Sequence, residues 1–181
     1  KITIYLKDLI HAENLSIKLV SNPKGFNQID KRWIKKYEEL WDIPNDVTKL
    51  LKLFTGETKS TKTGLKDERR MFLSEMDLED SKKILDFFKK KKILIVADIL
   101  KGRGKFSAGW MLVALKDPSE SVNWTLKSIN HVMNHFGTGD VVITPRGSLQ
   151  IGRITMQRKG GDGGRKTANM LQFKINPAEL F

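Results

Sequence analysis

The stretch Leu15 to Lys31, LSIKLVSNPKGFNQIDK, constrains the chain more than any other. Leu15 to Val20 is a short apolar run that reads as a buried strand. Side chains alternate along a strand, so Ser16 and Lys18 share one face while Leu15, Ile17 and Leu19 share the other. An ammonium on such a strand is costly to bury without a partner. It either snorkels from an edge strand into water or faces an anion. Ser21-Asn22-Pro23-Lys24-Gly25 then has the composition of a turn, and Phe26, Gln28, Lys31 and Arg32 follow on a new segment. A strand-end lysine, a basic turn, an aromatic and an amide form the pattern of an edge that faces phosphates.

Charge bears on that choice. The chain carries 33 Lys and Arg against 21 Asp and Glu, a formal net charge of +12. Such an excess favours a polyanionic partner, most often nucleic acid, over a surface of scattered charge when the cations cluster. At 181 residues the chain suits one domain, spanning residues 1–181, with a full core. Cysteine is absent, which excludes a disulfide framework and a Cys-ligated metal. That fits a reducing compartment, and the expected location is the cytoplasm. No apolar run approaches the roughly 20 residues of a membrane span, no signal peptide is visible, and no membrane partner is expected. The first residue is Lys1, and it opens directly on the strand-like Ile2-Thr3-Ile4-Tyr5. The chain therefore reads as one whose start has been removed.

Ile2 to Leu6 is expected to form a hairpin with the Lys18 strand across a polar connection, Lys7 to Asn14. Ile29, Trp33, Ile34, Tyr37, Leu40 and Trp41 recur at helical spacing, predicting a helix from about Asp30 to Trp41 that stops before Pro44. Val47, Leu50, Leu51 and Phe54 predict a second helix ended by Gly56. Glu57 to Asp67 reads as a loop, with Lys66, Arg69 and Arg70 at its exit. A third helix opens at Asp77 with Leu78, Leu85 and Phe88 on one stripe, closed by Lys89 to Lys92. Ile93 to Leu100, ILIVADIL, reads as a central strand covered on both faces, with a conspicuous Asp98. Met111 to Leu115 is another strand, and Ser128 to Phe136 a helix ended by Gly137. His131 and His135 stand i,i+4 on that helix, but no Glu beside the first His and no nearby third ligand support zinc. Val141 to Gln157 forms a hairpin around Pro145-Arg146-Gly147-Ser148.

Two strand-like arms flank Gln157-Arg158-Lys159-Gly160-Gly161-Asp162-Gly163-Gly164-Arg165-Lys166. The four glycines let the backbone approach another molecule closely. Arg or Lys forks onto guanine O6 and N7, and Asp accepts from cytosine N4. The alternative is a flexible hairpin tip. A GxxxxGK[ST] phosphate loop is not matched.

Several runs of the chain resemble the HinP kind of type II restriction endonuclease, which cuts GCGC. They are Lys18 to Asn22, Gly25 to Lys31, Phe54 to Glu57, Arg69 to Phe72, Asp98 to Leu100, Gly102 to Gly104, Pro145 to Ser148, Gln157 to Asp162, and Ala168 to Lys174. The resemblance implies a PD-(D/E)XK nuclease fold, an α/β (α+β) architecture with a mixed central sheet flanked by helices. It implies Mg2+-dependent cleavage of double-stranded DNA, paired in the cell with a cognate DNA methyltransferase. The family motif is an Asp followed by Gln-x-Lys on the neighbouring strand. Magnesium wants hard oxygen ligands, and the lysine steadies developing charge.

Lys18 matches the family lysine, but Ser16 stands where the family has Gln and is a poorer metal ligand. The family Asp falls before Lys1 by aligned spacing, so this chain is expected to be the C-terminal portion of the fold, lacking that acid. Asp8 and Glu13 are the acids upstream of Ser16, and neither is an obvious substitute. By the same resemblance Phe26 is a wedge into the duplex and Gln28 an inserted amide. Lys24, Lys31, Arg146, Ser148, Arg158, Lys159 and Asp162 are the other expected DNA contacts. The rival reading is a non-cleaving duplex-DNA-binding fragment. A third is a single-stranded RNA binder using Trp33, Trp41, Trp110 and Trp124. A sheet edge bared by a missing start predicts self-association or a partner strand.

Overall fold

The computed structural model describes residues 2–6, 9–116 and 122–181, with side chains from Glu13 onward. In chain order the strands and helices are β1 (Ile2–Leu6), β2 (Leu9–Glu13), β3 (Leu15–Val20), β4 (Asn27–Arg32), α1 (Ile34–Trp41), α2 (Asn45–Thr55), α3 (Leu78–Lys90), α4 (Lys92–Lys101), β5 (Trp110–Lys116), β6 (Val122–Ser128), α5 (Ile129–Gly137), β7 (Val141–Ile143), β8 (Leu149–Ile151), β9 (Ile154–Arg158) and β10 (Leu171–Ile175). The class is mixed α/β, as expected, but the sheet is divided. A five-stranded sheet runs β4-β10-β9-β8-β7, a three-stranded sheet runs β3-β5-β6, and β1 pairs with β2. The larger sheet is antiparallel throughout, and the parallel pairing joins β3 to β5.

Several expectations are corrected. Ile2–Leu6 pairs with Leu9–Glu13, so part of the supposed polar connection is a strand and Lys18 is not in that hairpin. Asp8 lies outside the described residues. The helix expected from Asp30 begins at Ile34, because Asn27–Arg32 is claimed by pairing with β10. ILIVADIL is helix α4, not a strand; an apolar run of that length fits a buried helix equally well. Leu78 is exposed, and α3 buries Ser81, Ile84, Phe87 and Phe88 instead.

The expected second arm Leu149 to Gln157 is two strands, because the chain turns back at Gly152 and β9 pairs with β8, and α5 includes Gly137 and ends at Thr138. Helix α2 and the start of α5 form where the pattern placed them. The backbone of Gly56 turns left-handed at φ 80° to end α2, and the Ser128 side chain accepts from the His131 N–H to cap α5. Tyr37 stacks on Trp41 with ring centroids 4.4 Å apart, and both meet Phe173 of β10 edge-on. This aromatic cluster seats α1 on the inner face of the large sheet. Trp41 is fully buried, which removes it as a stacking platform for RNA bases. Among the described residues, no helix is long and apolar enough to cross a membrane.

Candidate catalytic cleft and nucleic-acid interface

Strand β3 is inverted relative to an ordinary amphipathic edge. Ser16 pairs with Met111 and Lys18 with Val113, both buried, so the polar pair faces inward. Ile17 and Leu19 face out and are 63% and 68% exposed. Lys18 therefore does not snorkel from an outer edge. It lines a cleft of about 300 Å³ whose other walls are Ile29, Asp30 and Arg32 of β4 and Asp98 to Gly102 at the end of α4. Burial lowers the pKa of Lys18.

The cleft's carboxylates are already engaged. Asp98 is buried, accepts from Trp41 Nε1 at 2.8 Å, and pairs with Arg32 at 3.3 Å and Arg103 at 2.5 Å. Asp30 accepts from the Tyr37 hydroxyl at 3.0 Å and pairs with Arg32 at 3.3 Å. Burial raises the Asp30 pKa, against the pull of Arg32 and Tyr37. Magnesium takes hard oxygens, and here Ser16 supplies a neutral hydroxyl while both acids are held by arginine. No group of three His, Cys, Asp or Glu gathers among the described residues. The described donors alone do not make a magnesium site. His135 pairs with Glu179 at 3.3 Å rather than with His131.

The outer face of the large sheet is polar. Directly opposed residues share a face, so the register aligns Gln28, Lys174, Thr155 and Gln150 in one row and Lys31, Gln172 and Gln157 in the next. A bulge between Phe173 and Lys174 keeps Gln28 and Lys31 on that face while Asp30 turns inward. Phe26, Arg146, Ser148, Thr155, Gln157 and Lys174 line a groove of about 520 Å³ along it. A second pocket of about 300 Å³ takes in Arg69, Arg70, Ser148, Gln157, Lys159 and Gly160. Ser148 and Gln157 belong to both, so one band runs from Phe26 to the glycine hairpin.

The expected site residues divide by what holds them. Phe26 is 54% exposed at the groove, and Gln28 and Arg146 are exposed beside it. Lys24 sits in the turn, where its N–H donates to Asn22 Oδ1 at 2.9 Å. Arg158 is pinned within the hairpin: it donates to Asn169 Oδ1 at 2.7 Å, and the Asn169 amide donates to the Gly56 carbonyl at 2.8 Å. Lys159 pairs with Asp162 at 2.8 Å, and the Thr167 hydroxyl also donates to Asp162. These two bonds hold the Asp162 pKa down at about 2. Sequence reasoning missed Asp30, Thr155 and Lys174. Alternation in Leu171-Gln172-Phe173-Lys174-Ile175 carries the signal for Lys174, since its polar residues share a face.

Strand β4 walls the cleft with one face and carries Gln28 and Lys31 on the other. Asn27 ties it to β3 by donating to the Leu19 carbonyl at 3.0 Å. No helix separates Lys18 from Phe26 along the chain. A family model described as R.HinP1I restriction endonuclease matches residues 1–181. The chain belongs to that family. No curated protein matches it. Among solved structures it is similar to restriction endonuclease MspI in complex with its cognate DNA, with a TM-score of 0.60 and 14% identity over 92% of this chain. That identity speaks to fold, and the match spans 58% of the MspI chain. In this R.HinP1I-family member the inward lysine and the polar band thus lie on opposite sides of one shared strand.

Proposed function

We propose that the chain is the DNA-contacting and lysine-bearing part of a type II restriction endonuclease that cleaves double-stranded DNA at GCGC. The observation that carries this reading is the inward Lys18, set in a cleft whose β4 wall also bears the polar band. In this proposal Lys18 is the catalytic cation, steadying charge at the scissile phosphate. Ser16 stands beside it as a weak oxygen donor. Phe26 wedges into the duplex and Gln28 follows it. Lys24, Lys31, Arg146, Ser148 and Lys159 contact phosphates or bases. Arg158 and Asp162 act by holding the hairpin's shape as well as by contact. Magnesium dependence rests on the family resemblance; a carboxylate beyond the engaged Asp30 and Asp98 would have to complete the site. A cognate methyltransferase protects host DNA, the compartment is the cytoplasm, and self-association through exposed strand edges is part of the same proposal.

The test is incubation of the full protein with plasmids that carry or lack GCGC, in magnesium or EDTA. Fragments that require both the site and magnesium support the proposal. Their absence, with salt-sensitive duplex binding retained, favours the second reading, a non-cleaving DNA binder. That reading draws on Ser16 in place of an amide and on the engagement of both cleft acids by arginine.

A further inference from the structure

The corner where the Glu57–Asp67 loop leaves for α3 brings cations to the glycine hairpin that the DNA reading does not use. Arg69, Arg70, Lys159 and the backbone of Gly160 and Gly161 line one pocket with Ser148 and Gln157. Arg158 lines it too, although its guanidinium is tied to Asn169. The carboxylates facing these cations are Asp67, which accepts from Arg69 through both oxygens, Glu75 and Asp162. Asp67 faces both arginines of the corner: Arg69 at 2.8 Å and Arg70 at 3.6 Å. Asp162 is taken by Lys159.

Arg70 is the informative member. Its guanidinium lies 3.9 Å from the centroid of the Phe72 ring, and its buried Nε makes no hydrogen bond, with Asp67 Oδ2 standing off at 3.6 Å. A buried guanidinium N–H without an acceptor is costly. Burial and the neighbouring Arg158 and Arg69 disfavour the Arg70 charge, with Asp67 and Glu75 opposing them. Like charges assembled this way repel, and a bound anion relieves the repulsion. Gly160 and Gly161 both have positive φ, at 65° and 57°, and nothing lies within 4 Å of a Cβ built on either. The pocket is therefore open to a ligand approaching the backbone.

Resting on the DNA reading, we infer that Arg69 and Arg70, with Lys159, form a seat for one or two backbone phosphates of the duplex, a sequence-independent anchor beside the base-reading band. A planar guanidinium forks onto phosphate oxygens, which suits arginine for this role. Phosphate contacts fix register and carry no sequence information themselves.

The experiment measures duplex binding by the full protein across a salt series, using fluorescence anisotropy with a GCGC duplex and a scrambled one. Arg69→Gln should lower the slope of log K against log salt by about 0.9, and the Arg69→Gln/Arg70→Gln pair by about 1.8. Both duplexes should weaken by the same factor, leaving their ratio unchanged. Arg69 is 74% exposed at its side chain, so Arg69→Gln keeps its fold and carries the test alone where the double variant unfolds. An unchanged slope overturns the seat while leaving the DNA reading intact. A collapse of the GCGC-to-scrambled ratio also overturns it, because the arginines would then read bases. Absence of duplex binding by the unmodified protein removes the DNA reading and the seat together.

Discussion

At the residue scale, Lys18 is placed where it costs the fold something. Ser16 and Lys18 point into the body of the protein while Ile17 and Leu19 face outward. Burial lowers the Lys18 pKa. The sign follows directly. A depressed lysine pKa means the fold disfavours the ammonium, so the penalty is full below the folded pKa and fades as pH rises through it. Lys18→Met should therefore raise stability at pH 7 while removing cleavage. Urea unfolding checks this, and a less stable variant would assign Lys18 to the fold instead. Alternation in the sequence already placed Ser16 and Lys18 on one face. It did not say which face was inward, because the rule for edge strands assumes that the apolar side is covered.

At the element scale, helices with an ordinary polar face and the terminal hairpin were legible. Helix α2 and its Gly56, α5 and its Ser128, and the β9–β10 arms stand where periodicity and turn residues put them. Helix α4 was not legible. Its residues Ile95, Val96, Ile99 and Leu100 are buried, and so is Asp98, which removes the polar stripe that marks a helix. Strand β4 was hidden for a related reason: its hydrophobic spacing continues into α1, and only pairing with β10 separates them. Glycine at the β8–β9 turn shows what such pairing demands. Gly152 has φ 58°, and an added Cβ would lie 2.6 Å from the Phe136 carbonyl and 2.7 Å from that of Thr138. Gly152→Ala should cost about 1–3 kcal/mol from backbone strain alone. A loss below about 0.5 kcal/mol in chemical unfolding, the size of an ordinary surface change, would refute that reading of the turn.

The glycine hairpin makes its own prediction. The Asp162 carboxylate is bonded by Lys159 and Thr167, with its pKa down at about 2. A depressed carboxylate pKa gives a contribution that is full above the ordinary value of about 3.9 and is lost as pH falls through the folded value. Backbone amide signals of Gly160 to Gly164 should hold steady from pH 7 to about 4 and shift only below it. A transition centred near the ordinary aspartate value would mean that the hairpin is not held by this carboxylate.

At the scale of the whole molecule, β4 belongs to both sites. Its inner face closes the Lys18 cleft with Asp30 and Arg32, and its outer face begins the band that passes Phe26 and Arg146 to the hairpin. The cluster of Asp98, Arg32, Arg103 and Trp41 locks α1, β4 and the end of α4 around that cleft. The sequence resemblance reached the family, which a match over residues 1–181 bears out. It could not reach the engagement of Asp30 and Asp98, because that depends on side chains brought together from distant parts of the chain.

The role of Lys18 is tested by single-turnover cleavage of one GCGC duplex by the full protein and by Lys18→Ala, with binding measured alongside. Duplex affinity should agree within a few-fold for both, and the cleavage rate should be lower by about 10²–10³-fold or more in the variant, the loss seen when one positioned charge-stabilising group is removed. Equal cleavage rates for the two proteins would contradict that role.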